Sequence, residues 1–521
     1  MVLPKISNPL VNIIAPLIPN LTPFALDGLS TDGFPVSDFQ KQTEMYNLLE
    51  EWYEGEPLNV VIVDEKTGKT VDKYPIKINP IKGTCKKHAA RVIGQNVDSI
   101  RFGGLPFQLL PEMDKGKKKI GETIRKALLR VLTYNGFGAQ FLSTTIRGQY
   151  LGGNVLMAKW IPESKQIEVS TPSPKEFVGI ADGSNYNRLR EAWIVREISL
   201  SDAEALGYKR NILEDRYFYI EHWTKDKYKI QVNNQTLQLG GQMQEGDNPF
   251  KLVPFVYVPH IRVNNFLGDS LITETIKGVI RELNLRWADI GDAVSDDSHD
   301  YVAVRNVQGG ISTINVGDNR PVLDLGSASG IGGTSDPDMF AVGTKSASEP
   351  MLKFSQDLYQ IYRREANHPA VADGEDEGSQ RSSLTLNVRM APLVDEAEFE
   401  RLFWTIGLTE FTKVLLTIMS VKKQNGITEE MIDTPFTVQW QPMLPKDREA
   451  LSTEVAVRAK NKVTSRKALN AMYGDIQDVD EDMEQIKEET ELDQTQSPFG
   501  QSKPQPKQPE GINGSQGNIQ R

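Results

Sequence analysis

The chain has one cysteine, Cys85, in 521 residues. No disulfide can form within it, and a reducing compartment fits. In "CKKH" this thiol lies three positions before His88 and beside two lysines, a setting that would suit a reactive thiol. A lone cysteine on the helical stretch "TCKKHAARVIG" is the plainer reading. Also missing are a P-loop, HExxH and GxGxxG, and no nucleophile–base pair can be named. The expectation is a protein that is not an enzyme and takes no cofactor. Basic residues do not dominate: the net charge of −11 argues against a surface that grips nucleic acid everywhere, while leaving room for local basic patches. Long apolar runs are absent at the N-terminus. In "LPKISNPLVNIIAPLIPNLTPFAL" prolines at 4, 9, 16, 19 and 23 forbid a continuous helix. The stretch Leu10–Ala15 is far short of the roughly 20 residues a membrane span needs, no cleavage-site pattern follows, and no membrane partner is expected. Residues 1–37 read as a proline-rich arm laid on a neighbouring subunit, laid on its own subunit, or disordered.

What is present is ordinary for folded protein: 39% hydrophobic and 25% charged residues. The length exceeds one core and predicts two to four domains. "DFQKQTEMYNLLEEWYEGE" (38–56) is an amphipathic helix stopped by Gly55, and "LNVVIVDEKTGKTVDKYPIKI" is a hairpin around Lys66–Gly68. Residues 83–94 and 118–146 predict two helices, the second long. From residue 153 to 260 strands dominate, an α+β region with an antiparallel sheet. At "PFVYVPHIRVNNFLGDSLI" the period switches from two to helical. Over 270–297, Ile272, Ile276, Val279, Leu283, Trp287, Ile290 and Val294 form a narrow seam of near-heptad spacing, with Gly278 and Gly291 as close-approach positions. Residues 301–347 alternate short strand runs with glycine-rich turns. A second helix opens at Ser348 and stops before Pro369. The layout is a helical hairpin with a small β knob. Beyond the polar loop 371–383 lie a long helix kinked or restarted at Pro392, the strand "PFTVQWQPMLP", and C-terminal helices. The tail from Asp493 is Gln, Pro, Ser and Gly with few apolar residues and reads as disordered.

"GSASGIGG" (326–333) neither follows a convincing strand nor opens a helix, so a phosphate cradle is disfavoured. "SDDSHD" (295–300) holds residue types that bind metals, but it ends a helix, where solvated polar residues are normal. "DGEDEG" (373–378) starts like a calcium loop, yet position twelve would be Leu384. No metal is expected. The acids from Asp475 to Glu491 read as the solvated face of a last helix.

The order of parts resembles the portal proteins of tailed bacteriophages. The resemblance rests on "PFVYVPHI" followed by "GDSLITETIKGVIRELNLRWADIGD", on "GSQRSSLTLNVRMAPLVDEAEFERLFW", on "PMLPKDREALSTEVAVRAKNKVTSRKALNAMYGDIQDVDEDMEQIKEE", and on "MYNLLEEWYEGE". It implies an α+β subunit in a fixed order: wing (38–269), first stem helix (270–299), clip (300–347), second stem helix (348–370), tunnel loop (371–383), the rest of the wing (384–446), crown helices (447–492) and tail (493–521). The implied function is a ring, usually of twelve subunits, at one capsid vertex. DNA is packaged and ejected through it, without hydrolysis. The implied partners are double-stranded DNA, the terminase large subunit, a head–tail adaptor, and major capsid or scaffold protein. The implied location is the virion, with host cytoplasm during assembly. A non-viral ring-forming scaffold, or an enzyme or nuclease subunit with a helical-hairpin insert, stays open as the alternative. Within this frame Asp373, Glu375, Asp376 and Glu377 would face the channel and repel phosphate, with Arg381 able to make one contact. Asn306, Asp318, Arg320 and Asp324 would serve clip docking. The stem acids Asp289, Asp292, Asp296 and Asp297 end a helix whose dipole favours cations there. Lys353, or Lys345, is therefore expected to pair with Asp292 or Asp296.

Overall fold

In the computed structural model of the chain, the described residues are 36–58, 61–63, 70–72, 77–94, 104–113, 115–209, 216–233, 235–239, 242–263, 266–298, 301–305, 322–324, 338–342, 348–375, 383–444 and 448–461, with isolated positions beyond. The N-terminal arm, most of the 306–337 turns, and the tail lie outside them. The chain divides into two compact units, 1–445 and 446–521.

In the first unit, helix α1 (Val36–Glu54) buries Phe39, Tyr46, Leu49 and Trp52 and stops at Gly55. The hairpin β1 (Val61–Val63) and β2 (Thr70–Asp72) pairs antiparallel around its predicted turn. Helix α2 (Ile81–Ile93) and strand β3 (Phe107–Pro111) follow. Where one helix is predicted over 118–146 there are two, α3 (Lys118–Tyr134) and α4 (Phe137–Leu151). Asn135 makes the break. Its Nδ2 donates to Val131 O at 2.8 Å and Ile167 O at 2.8 Å, and its Oδ1 accepts from Val169 N at 3.0 Å. Gly136 then takes the left-handed φ of 59° that reverses the chain. The "NG" dipeptide carried this signal.

Strands β4 (Gly153–Ile161) and β5 (Gln166–Ser170) start one sheet. Then β6 (Phe177–Asp182), β7 (Asn185–Ile198), the short helix α5 (Leu200–Ala205), β8 (Tyr217–Thr224), β9 (Lys227–Val232), β10 (Gln235–Thr236), the small pair β11 (Gln238–Leu239) and β12 (Gln242–Met243), and β13 (Glu245–Asp247) follow. Consecutive strands β6 to β10 form an antiparallel meander, and β13 joins β9. The chain then returns to the first sheet as β14 (Phe255–Pro259), giving the order β14–β4–β5. Every residue of β14 is buried. It is an alternating strand that nevertheless has protein on both faces.

Helix α6 (Glu274–Ser298) leaves this core. In the knob, β15 (Tyr301–Arg305) is central, parallel to β16 (Val322–Asp324) and antiparallel to β17 (Asp338–Val342). Helix α7 (Ser348–Glu365) returns beside α6. The seam expected along α6 holds at Ile272, Ile276, Leu283 and Ile290, which are buried, but Ile280 joins it, while Trp287 (42% exposed) and Val294 (54%) face water. Val294 lies five full turns beyond buried Ile276 and so on the same side of the helix, which means that the cover over this stripe changes along the helix rather than around it. Gly278 has no atom within 4 Å of where a Cβ would sit, so close packing inside the subunit does not account for it.

Helix α8 (Ser383–Val421) runs 39 residues without interruption through Pro392. Residues Thr385–Val421 are apolar and long enough to cross a membrane by length and composition, but Trp404, Leu408, Phe411, Leu415, Ile418 and Met419 are buried inside the subunit. They meet Phe107, Phe137, Phe141 and β14 in the largest core cluster, with the Phe141 and Trp404 rings 4.5 Å apart. Strand β18 (Phe436–Trp440) closes the unit by pairing with β3. In the second unit the described helix is α9 (Arg448–Lys460).

One buried carboxylate ties the two sheets together. Glu221 on β8 accepts from Tyr219 Oη and Trp223 Nε1, each at 2.7 Å, and from Lys159 Nζ of β4 at 3.2 Å. Burial opposes its ionisation, but the Lys159 charge and these bonds outweigh it and hold the carboxyl below its ordinary range. The folded form therefore binds this proton less readily than the unfolded chain. Its contribution is complete above the ordinary Glu range, about 4.3, and is lost as pH falls below it. Lys159→Met should cost about 3 kcal/mol at pH 7, because it leaves a buried charge without its partner. It should also flatten the acid limb of a urea-denaturation series. An unchanged midpoint at pH 7 would remove this role.

Candidate functional site at the root of the hairpin

The transition from β14 to α6 is moored by backbone groups. His260 N donates to Gly152 O at 2.9 Å, Asp269 N to Ile261 O at 2.7 Å, and Leu271 N to Gln149 O at 2.9 Å. Ser270 Oγ donates to Tyr150 O at 2.6 Å. The two chain segments touch at Gly152 and Gly268, where a Cβ on Gly268 would sit 2.2 Å from Gly152 O. Gly152 also has φ of 82°, so neither position tolerates a side chain. Farther along, Asn284 of α6 grips the segment before α2, accepting from Ile78 N at 2.9 Å and donating to Ile78 O at 3.0 Å.

Three of the chain's five histidines gather at this root. A cavity of about 140 Å³ there is lined by His88 and His260 together with Asp269, Ser270, Glu365, Asn367 and Glu396. His88 Nε2 lies 2.9 Å from Ala366 O, and His260 Nδ1 lies 3.0 Å from Asp269 O. The His368 ring stacks 6.5 Å from that of His88. Beneath them Glu400 of α8, 1% exposed, accepts from Gln149 Nε2 and, at 3.1 Å, from Trp404 Nε1. Its other neighbour is His260 Nε2, at 3.7 Å. That separation would suit an ion pair, but burial favours the neutral form of both groups. It lowers the His260 pKa and raises the Glu400 carboxyl to about 8. The surroundings agree with a protonated Glu400. Two acceptors beside it, His260 Nε2 and Gln149 Oε1, lack hydrogen-bond partners, and a half-turn of the Gln149 amide would present Oε1 to a Glu400 O–H.

The expected tunnel loop begins at this root. Residues Ala370–Asp373 form a 3₁₀ turn held by an ionic latch. Arg363 of α7, with its side chain 5% exposed, donates to Glu375 through both terminal nitrogens, at 2.8 and 2.7 Å, and to Asp373 at 3.1 Å. Its guanidinium lies 4.5 Å from the Tyr359 ring centroid. Asp373 also takes Lys87 Nζ of α2 at 2.6 Å and His368 Nε2 at 2.9 Å. Burial would raise the Asp373 pKa, but Lys87 and His368 outweigh it and hold the carboxyl at about 2.

Other site residues named from the sequence are distributed differently. Asp376, Glu377, Arg381, Asn306, Asp318 and Arg320 lie outside the described residues. Asp324 is at the end of β16, and Asp292 and Asp296 are on α6, but their side chains lie outside the described ones. Lys353 is exposed on α7. Asp289 is engaged within its own helix by Arg286 at 2.7 Å. Cys85 is fully buried, its thiol pushed up by burial, as the plainer reading required. Among the described residues no group of three or more His, Cys, Asp or Glu could hold a metal. The latch and the Glu400 node were missed. Arg363, His368, Asp373 and Glu375 lie within twelve positions, but Lys87 of the latch and the Gln149 and His260 neighbours of Glu400 come from distant parts of the chain.

Several helices leave large apolar side chains in water: Leu285, Trp287 and Val294 on α6, Leu352, Phe354 and Ile361 on α7, and Leu386, Val388, Phe399, Leu402 and Ile406 on α8. Large apolar side chains left exposed in this number suit association surfaces. The family model described as "Phage portal protein, SPP1 Gp6-like" matches residues 37–496. The chain belongs to this portal protein family. Comparison with individually curated proteins gives no match. The portal subunit is therefore structural rather than enzymatic, and it acts in DNA packaging. It forms an oligomeric ring at a capsid vertex, with DNA, capsid and terminase as general partners.

Two outcomes follow for the root. Between about pH 4 and pH 8 the folded state holds a proton on Glu400 that the unfolded chain has released, so this group's contribution declines as pH rises across that window. Glu400→Gln should make urea midpoints less pH-dependent and raise stability at pH 8 relative to wild type. A variant with the wild-type slope would show that the proton is not there. For the latch, Arg363→Met leaves Asp373 with Lys87 and His368 and takes from Glu375 its Arg363 bonds; because Glu375 is largely exposed, the local opening cost should fall by about 1–2 kcal/mol. Cleavage within 371–383 under limited proteolysis should then accelerate on the order of tenfold or more, and an unchanged cleavage rate would rule the latch out.

Proposed function

We propose that twelve copies form the ring, with α6 and α7 as the stem about the axial channel and the β15–β17 sheet as the clip. The observation that carries this reading is the helical hairpin with a small sheet at its tip and unpaired apolar residues along its length. An apolar stripe of that kind gains most by facing a copy of itself around an axis. In this reading the clip docks the terminase large subunit during packaging and a head–tail adaptor afterwards. DNA leaves by the same channel on ejection, and assembly takes place in the host cytoplasm before the ring enters the virion. Major capsid or scaffold protein surrounds the wing. Clip residues Asn306, Asp318, Arg320 and Asp324 serve the docking.

The tunnel loop 371–383 reaches the channel. In this reading its acids have two tasks. Asp373 and Glu375 anchor the loop root through Arg363 and Lys87, which leaves Asp376 and Glu377 to repel phosphate and Arg381 to make a single contact. The stem acids Asp292 and Asp296 pair with Lys353 within or between subunits. Exposed pairs of this kind are worth only about 0–1 kcal/mol, so the pairing acts on ring assembly and its salt dependence.

Negative-stain images and solution mass of the full chain test the ring. A population of monomers and dimers alone, with and without scaffold protein, would contradict it. Lys353→Glu should weaken rings at low salt, with rescue by Asp292→Lys or Asp296→Lys; normal rings would leave a bare acidic channel as the better account. Ser379→Cys should crosslink to DNA in filled heads, and absence of a crosslink beside a positive channel control would place the loop elsewhere.

A further inference from the structure

Helix α3 stands apart electrically from the rest of an acidic chain. Between residues 115 and 130 the sequence sets Lys115, Lys117, Lys118, Lys119, Arg125, Lys126 and Arg130 against one acid, Glu122, although the whole chain carries −11. The helix buries Ile124, Ala127, Leu128, Val131 and Leu132 in the core. On its other side Lys117, Lys118, Lys119, Lys126 and Arg130 are exposed and Arg125 is half-buried. Glu122 is engaged by Lys126 one turn away, both well exposed, a pair that screens little of the positive field. From residue 117 to residue 130 the helix rises about 20 Å, the length of about six phosphates along one strand of a duplex.

The chemistry of this face favours a polyanion over a protein. Protein interfaces depend on apolar or aromatic anchors seated in pockets. Here the one large apolar side chain in the open is Tyr134, at the far end of the helix. The neighbouring cleft between β3 and α3, lined by Leu105, Phe107, Leu109, Arg125, Leu128 and Leu132, is about 30 Å³, room for a water and not for an anchoring side chain. We propose that the exposed face of α3 binds double-stranded DNA through its phosphates, without reading sequence, as a contact separate from the tunnel loop. The surrounding negative charge would keep DNA off the rest of the surface and confine binding to this stripe.

The test uses the full chain and a fluorescent, covalently closed DNA minicircle, which cannot thread a ring. Wild type should bind it at low salt, and four phosphate contacts predict an affinity loss of about a hundredfold between 50 and 200 mM salt. K119E/K126E/R130E should bind at least about tenfold more weakly at 50 mM, with a shallower salt slope. K119R/K126R/R130K should match wild type. Should the triple reversal disturb folding, the single variants K119E and K126E should each still weaken binding by about threefold. The proposal is overturned if wild type ignores the minicircle, if charge reversal leaves affinity and slope unchanged, or if the face captures an acidic protein while the minicircle stays free. Loss of rings with minicircle binding intact would count against the ring reading alone.

Discussion

Backbone amides and carbonyls that leave a sheet must find new partners, and on leaving β14 the chain finds three of them at the C-terminal end of α4, through His260, Ser270 and Leu271. The bonds from His260, Ser270 and Leu271 to residues 149–152 require two chain segments to touch at Gly152 and Gly268. This contact fixes where the sheet ends and the direction in which α6 departs. The hairpin, its knob and the returning helix inherit that direction.

The same neighbourhood collects the subunit's most constrained polar groups. Glu400 lies under the root and the latch lies beside it, so hydrogen bonds and ion pairs from α2, α4, α7 and α8 gather here. Neutral Glu400 suits a joint between rigid helices, because a buried charge would demand a fixed counterion and a proton does not. The latch is the opposite solution. Its charges are matched bidentately and from two sides, which gives the loop a rigid base wherever residues 376–382 go.

Charge is distributed to match this division. Acids outnumber bases in the chain and compensated acids hold its joint, while a run of cations lies on the exposed face of α3. A conduit for DNA works against adhesion in its bore, since each neutralised phosphate adds binding free energy that must be overcome during movement. A basic stripe placed on a separate surface does not carry that penalty.

How much of this was legible depended on the range of the interaction involved. The α+β class, the hairpin with its β knob, the helix opening at Ser348 and the unreactive setting of Cys85 followed from periodicity, capping residues and composition, which act over a few residues. The break at Asn135–Gly136 was equally local, and "NG" announced it. Trp287 and Val294 fitted the spacing of a seam yet stand in water, because the pattern gives a period and not the line along which α7 lies on α6. Nothing local in the sequence marked Glu221, Glu400, Arg363 or Lys87, and Asp373 read as a channel-facing acid of the tunnel loop. Only the tertiary structure buried Glu221, Glu400 and Arg363 and set the partly exposed Asp373 and Lys87 against their partners. A charge becomes decisive when burial strips its solvent, and burial is set by contacts between residues that the chain itself keeps far apart.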